Sequence, residues 1–105
     1  MRLTEKEKRA LTNAVHSVLM GKYELYLFGS RTDLKKRGGD IDLLIVIEGS
    51  AKQAAMENKI KIKQVIFSLI PEQRIDITFA TPEELKQDAF LKSIFPEAEL
   101  LSERR

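Results

Sequence analysis

The chain has 105 residues, 43% of them apolar, and no cysteine. It can bury one modest core, but it has nothing from which to build disulfides, thiolate catalysis or cysteine-based zinc sites. Lys and Arg number 18 against 16 Asp and Glu, a formal charge of +2, so charge alone does not announce a nucleic-acid binder. No apolar stretch approaches the roughly 20 residues of a membrane span, and "MRLTEKEKRA" lacks the apolar centre of a signal peptide. The expectation is one cytoplasmic domain over residues 1–105.

Thr4 and Glu7 have capping-box spacing and open a first helix whose Leu11, Val15, Val18 and Leu19 share one face, with Gly21 as its stop. "YELYLF", Tyr23 to Phe28, is aromatic and apolar enough for a strand ending at a Gly29-Ser30 turn. Residues 32–39 form a polar connection, with room for a short helical turn before Gly38-Gly39. "DIDLLIVIEG" follows as a second strand, and its nearly continuous apolar run suits a central strand covered on both faces.

Ser50 and Gln53 repeat the capping-box spacing and predict one long helix to Ile70, closed by Pro71, with Met56, Ile60, Ile66 and Ile70 as its apolar stripe. Arg74 to Ala80 is a third strand. Thr81, Pro82 and Glu84 supply the N-cap, first-turn proline and capping acid of a fourth helix, broken near its end by Pro96. The tail "EAELLSERR" reads as a frayed end rather than a short partner-binding helix. The predicted class is α/β (α+β), a small mixed β-sheet with flanking helices in the order α-β-(α)-β-α-β-α.

Asp40 and Asp42 charge the entrance of the second strand. Strand alternation points them the same way, ~6.6 Å apart along the chain. Carboxylates that close repel each other and lose hydration unless a cation sits between them. Donors that are all oxygen favour Mg²⁺ or Mn²⁺. Asp76 interrupts the apolar run of "RIDITF", with Ile75, Ile77 and Phe79 on one face and Asp76 and Thr78 on the other; burial there is costly unless the acid is paired or liganded. If strands two and three are parallel neighbours, with the third helix as crossover, Asp76 stands beside the other two acids. Strand one must then run antiparallel to strand two to bring Gly29 and Ser30 to the same place. Gly29 allows close backbone approach, and the Ser30 hydroxyl and nearby amides could hold a phosphate. Arg31 is a candidate to neutralise phosphate charge, with plain solvation as the alternative.

Other residues have blander explanations. Lys35, Lys36 and Arg37 form a basic loop that either steers a ligand or is simply solvated. His16 reads as a surface or boundary residue, and Tyr23 and Tyr26 as strand packing. Phe90, Leu91, Phe95, Leu100 and Leu101 could meet a partner, although the domain's own core is the better reading for most of them.

"GSR", the nine residues from Arg31 to Gly39, "DID" and the later "RIDITF" strand together resemble the nucleotidyltransferase superfamily that includes DNA polymerase beta and kanamycin nucleotidyltransferase. The resemblance is strongest to its minimal stand-alone members, the MNT-domain antitoxins found beside HEPN-domain ribonuclease toxins, and it runs from the first helix through the fourth. Gly39 departs from the serine that often precedes the first acid. The resemblance implies a nucleotidyltransferase fold in which Asp40 and Asp42 bind two Mg²⁺ ions, with Mn²⁺ as a substitute, and Asp76 completes the first metal site and helps activate the attacking hydroxyl. It also implies that Gly29 and Ser30, with Arg31 beside them, hold the triphosphate of ATP, and that AMP moves to a tyrosine hydroxyl of a HEPN toxin. Its rivals are a non-catalytic antitoxin acting by contact, and a small-molecule or nucleic-acid nucleotidyltransferase with a separate acceptor-binding subunit. ATP and the toxin are the implied partners, without membrane or direct nucleic-acid binding; homo- or hetero-oligomers are left open.

Overall fold

Helix α1 (Glu5–Val18) starts where Thr4 closes a reciprocal capping box: its hydroxyl accepts from the Glu7 amide at 3.0 Å while its own amide donates to the Glu7 carboxylate at 3.0 Å. A computed structural model describes residues 3–29 and 41–105 of the chain. Its strands are β1 (Tyr23–Phe28), β2 (Ile41–Val46), β3 (Ile75–Ala80) and β4 (Glu99–Arg104). They form one sheet of order β3-β2-β1-β4, with β2 and β3 parallel and β1 antiparallel to both β2 and β4. The sheet is mixed, as expected from the sequence, and the polar connection at residues 32–39, with Lys35, Lys36 and Arg37, lies outside the described residues.

Alternation along the strands divides the apolar residues between two layers. Leu25, Leu27, Leu43, Ile45, Ile75 and Ile77 face the main core with Leu11, Val15, Ile62 and Ile66. Phe28, Leu44, Val46 and Ala80 face the other way, against Leu91, Leu85 and Phe95. Burying each such aliphatic side chain contributes about 1.5–3 kcal/mol. Sandwiched by both layers, β2 is the covered central strand that its composition predicts.

The single long helix expected from Ser50 to Ile70 is two helices, α2 (Gly49–Glu57) and α3 (Lys59–Leu69). Asn58 separates them, and its side-chain amide turns back to donate to the Ala54 carbonyl at 3.0 Å, a local alternative to regular helix that asparagine readily takes. Ser50 lies inside α2, which begins after Glu48 without a side-chain cap. The anticipated stripe holds at Ile66 and Ile70 and fails at its first two residues. Met56 and Ile60 are 47% and 71% exposed, while Ala55, Ile62, Ile66 and Ile70 are buried.

The fourth helix begins as predicted, with a Thr81–Glu84 capping box ahead of α4 (Pro82–Gln87). It stops earlier, at Asp88, whose carboxylate accepts from the Leu91 amide at 3.0 Å and caps a further helix, α5 (Ala89–Ile94). Pro96 sits in a 3₁₀ turn, Phe95–Glu97, that follows. Lys52 ties α2 to the start of α4 through both Glu84 oxygens, at 2.8 and 3.0 Å, and holds the Glu84 carboxyl below its ordinary range. The tail is neither frayed nor helical. It is β4, paired along β1 and bulged between Leu25 and Tyr26.

Candidate active site

Asp42 is the second residue of β2, and Asp76 the second residue of β3. Parallel pairing sets them directly opposite one another, with their Cα atoms about 4.8 Å apart at the usual strand spacing. Both alternate with main-core residues and so project from the opposite face, the one carrying Leu44 and Ala80. The crossover through α2 and α3 thus brings together two acids 34 positions apart in the sequence.

Antiparallel pairing on the other side of β2 places Phe28 opposite Asp42. The next residue, Gly29, has φ +79°, a left-handed conformation that L side chains rarely adopt. A β-carbon there would collide with Oδ2 of Asp42 and come within 3.2 Å of its Cγ. Gly29 therefore meets two requirements, the turn itself and the close seating of a carboxylate against backbone. Phe28, which flanks this seat, is not signalled by the sequence; only the hairpin register reveals it.

Asp42 is half-buried and Asp76 exposed. The desolvation penalty anticipated for Asp76 is therefore absent, because the acid sits at the open end of an edge strand where water reaches it. Ser30, Arg31 and Asp40 lie outside the described residues. Among the described residues no three histidine, cysteine, aspartate or glutamate side chains gather as a metal-holding group. The donors that do converge, two carboxylates with a glycine backbone packed against one of them, suit a hard divalent cation that keeps positions for water and phosphate oxygens.

His16, an exposed residue, is remote from the acids. It lies 3.4 Å through Nδ1 from the Tyr23 hydroxyl, at the opposite end of β1 from Gly29, roughly 20 Å away by strand rise. A cavity of about 400 Å³ opens at that same far end, lined by Tyr23, Val46, Glu48, Glu103, Arg104 and Arg105 among others. Both of its arginines are engaged: Arg105 pairs with Glu103 at 2.6 Å, and Arg104 donates to the carbonyls of Leu19 and His16.

A family described as the nucleotidyltransferase domain matches residues 9–101. The chain belongs to the nucleotidyltransferase domain family. Its mixed sheet flanked by helices is the nucleotidyltransferase fold, and family membership makes a transferase the supported class of activity. A solved structure described as a toxin-antitoxin crystal structure with AMP-PNP is similar over 90% of this chain and 72% of that one, with TM-score 0.57 and 15% identity. At that identity the likeness is one of fold. No curated protein matches the chain. No helix among the described residues is long and apolar enough to cross a membrane.

Proposed function

We propose that this nucleotidyltransferase domain moves AMP from ATP to a hydroxyl acceptor, a tyrosine of a cognate HEPN ribonuclease toxin, and so acts as an antitoxin. The observation that carries the reading is the in-register pair Asp42 and Asp76 beside the positive-φ Gly29. The toxin-antitoxin with AMP-PNP that shares the fold supports both the nucleotide and the partner class.

Asp42 and Asp76 would hold Mg²⁺, or Mn²⁺ in its place, and Asp40 would join them as the resemblance in its motif implies. Bound there, a divalent cation neutralises phosphate charge and lowers the pKa of an acceptor hydroxyl. The chain's own groups do the rest. Gly29 lets the Asp42 carboxylate seat directly against backbone, and Ser30 and Arg31 are proposed to contact the triphosphate. Asp76, exposed on an edge strand of the sheet, is proposed to help activate the attacking hydroxyl and to take up its proton. The hydroxyl oxygen forms a bond to the α-phosphorus as the bond to the bridging oxygen breaks, and pyrophosphate leaves in line with the attack. The main core common to α1, α3 and the sheet supports treating residues 1–105 as one domain, and the cytoplasm is its proposed compartment.

Intact mass spectrometry of the product of the neighbouring gene, after incubation with this protein, ATP and Mg²⁺, tests the proposal. A gain of one or more AMP units, absent with Asp42→Asn, is expected. An unchanged mass in a complex that still forms would replace it with neutralisation by contact.

A further inference from the structure

Phe90 is a large apolar side chain left 56% exposed in the first turn of α5. Its neighbour Leu91 is buried in the second core layer, and a helix turns about 100° per residue. With Leu91 inward, Phe90 is directed off the core rather than into it. Its ring meets Phe28 edge to face, with centroids 6.4 Å apart and an interplanar angle of 76°.

Phe28 is the cross-strand partner of Asp42, about 4.5–5.5 Å away between Cα atoms. The sequence of neighbours on this face of the sheet is therefore Asp76, Asp42, Phe28 and then Phe90. Two acids end in an exposed aromatic ring one residue further out. Phe28 itself is only 8% exposed, so it is a fixed support for Phe90, which keeps more than half of its own surface open. A single exposed apolar residue needs no explanation, but one propped by a buried ring beside a pair of carboxylates is placed where a nucleoside attached to a metal-held phosphate would extend.

We infer that Phe90 is the base-stacking residue of the nucleotide site, its ring taking the purine of a nucleoside triphosphate whose phosphates lie at Asp42 and Asp76. The inference rests on the nucleotidyl-transfer reading above and adds to it the residue that senses the base. Stacking against a ring is tolerant of base identity, because every base has a π-face. Phe90 thus favours nucleotides over bare phosphates without by itself choosing adenine over guanine.

The test is calorimetric titration of the purified chain with ATP and with inorganic tripolyphosphate, both with Mg²⁺, for the unaltered protein, Phe90→Ala and Phe90→Trp. Phe90→Ala should weaken ATP about fivefold or more while leaving tripolyphosphate within about twofold. Phe90→Trp should keep ATP affinity. The chain has no tryptophan, so the fluorescence of the introduced indole should be quenched by ATP and not by tripolyphosphate. Equal ATP affinity in the unaltered and Phe90→Ala proteins would overturn the inference, as would an equal loss of both ligands. If the unaltered protein binds neither ligand, the nucleotidyl-transfer reading fails first and this inference with it.

Discussion

Gly29 and the Asp42 carboxylate occupy a space that cannot also admit a β-carbon. The residue that follows β1 and the acid near the start of β2 thus constrain each other, although 12 residues separate them.

Gly29→Ala should therefore act twice. The left-handed φ of +79° would strain an alanine by about 1–3 kcal/mol, and the added methyl would push the Asp42 carboxylate from its seat. The expected result is a lower urea midpoint together with loss of nucleotide transfer. A variant as stable and active as the parent would show that the turn does not position Asp42.

Tyr26 offers a pH test away from the acids. Burial, and a 2.9 Å hydrogen bond donated to the Glu24 carboxylate, push its hydroxyl up from 10.0 to about 12. Because the native value is raised, this stabilising contribution is complete below pH 10.0 and is lost as pH rises through about 12. Alkaline titration of tyrosinate absorbance should show a late step that disappears in Tyr26→Phe and moves earlier in Glu24→Gln. A titration unaltered by either substitution would refute the assignment.

Arg104 of β4 closes the C-terminal end of α1 from 85 residues away, donating to the carbonyl of Leu19, and to that of His16 at 2.9 Å. Its guanidinium also lies 5.7 Å from the Tyr23 ring centroid. A cation at a helix C-terminus satisfies carbonyls that have no partner within the helix. Arg104→Met, which keeps most of the aliphatic stem, should cost about 1–2 kcal/mol in urea unfolding. No change in midpoint would mean that β4 adds pairing to β1 but no clasp on α1.

These elements also mark what the sequence discloses. Helix α1 and the start of α4 are legible because Thr4–Glu7 and Thr81–Glu84 declare their own capping boxes. The first three strands are legible because apolar runs are bounded by turn residues. The break at Asn58 is not, since neither proline nor glycine marks it and the alternating Lys-Ile-Lys-Ile that follows fits more than one periodicity. Strand β4 is hidden for a different reason. At the sheet edge only Leu101 of "ELLSER" is buried, so the pairing comes from the open side of β1 rather than from the segment's own pattern. In the site, Asp42 and Asp76 follow from acids placed within apolar strands, whereas their exact opposition needs the crossover. Phe28 and Phe90 carry no chemical signature of their own and become informative only through register and helix packing.

The most direct test of the shared acid site is calorimetric titration of ATP into the purified chain with Mg²⁺, with Mn²⁺ and with chelator, for the unaltered protein, Asp42→Asn and Asp76→Asn. The account predicts ATP binding that requires the divalent cation and falls at least about tenfold, or 1.4 kcal/mol, in each variant, while metal-free stability is unchanged or raised as a repelling charge is removed. Undiminished ATP affinity in chelator, or in both variants, would contradict it.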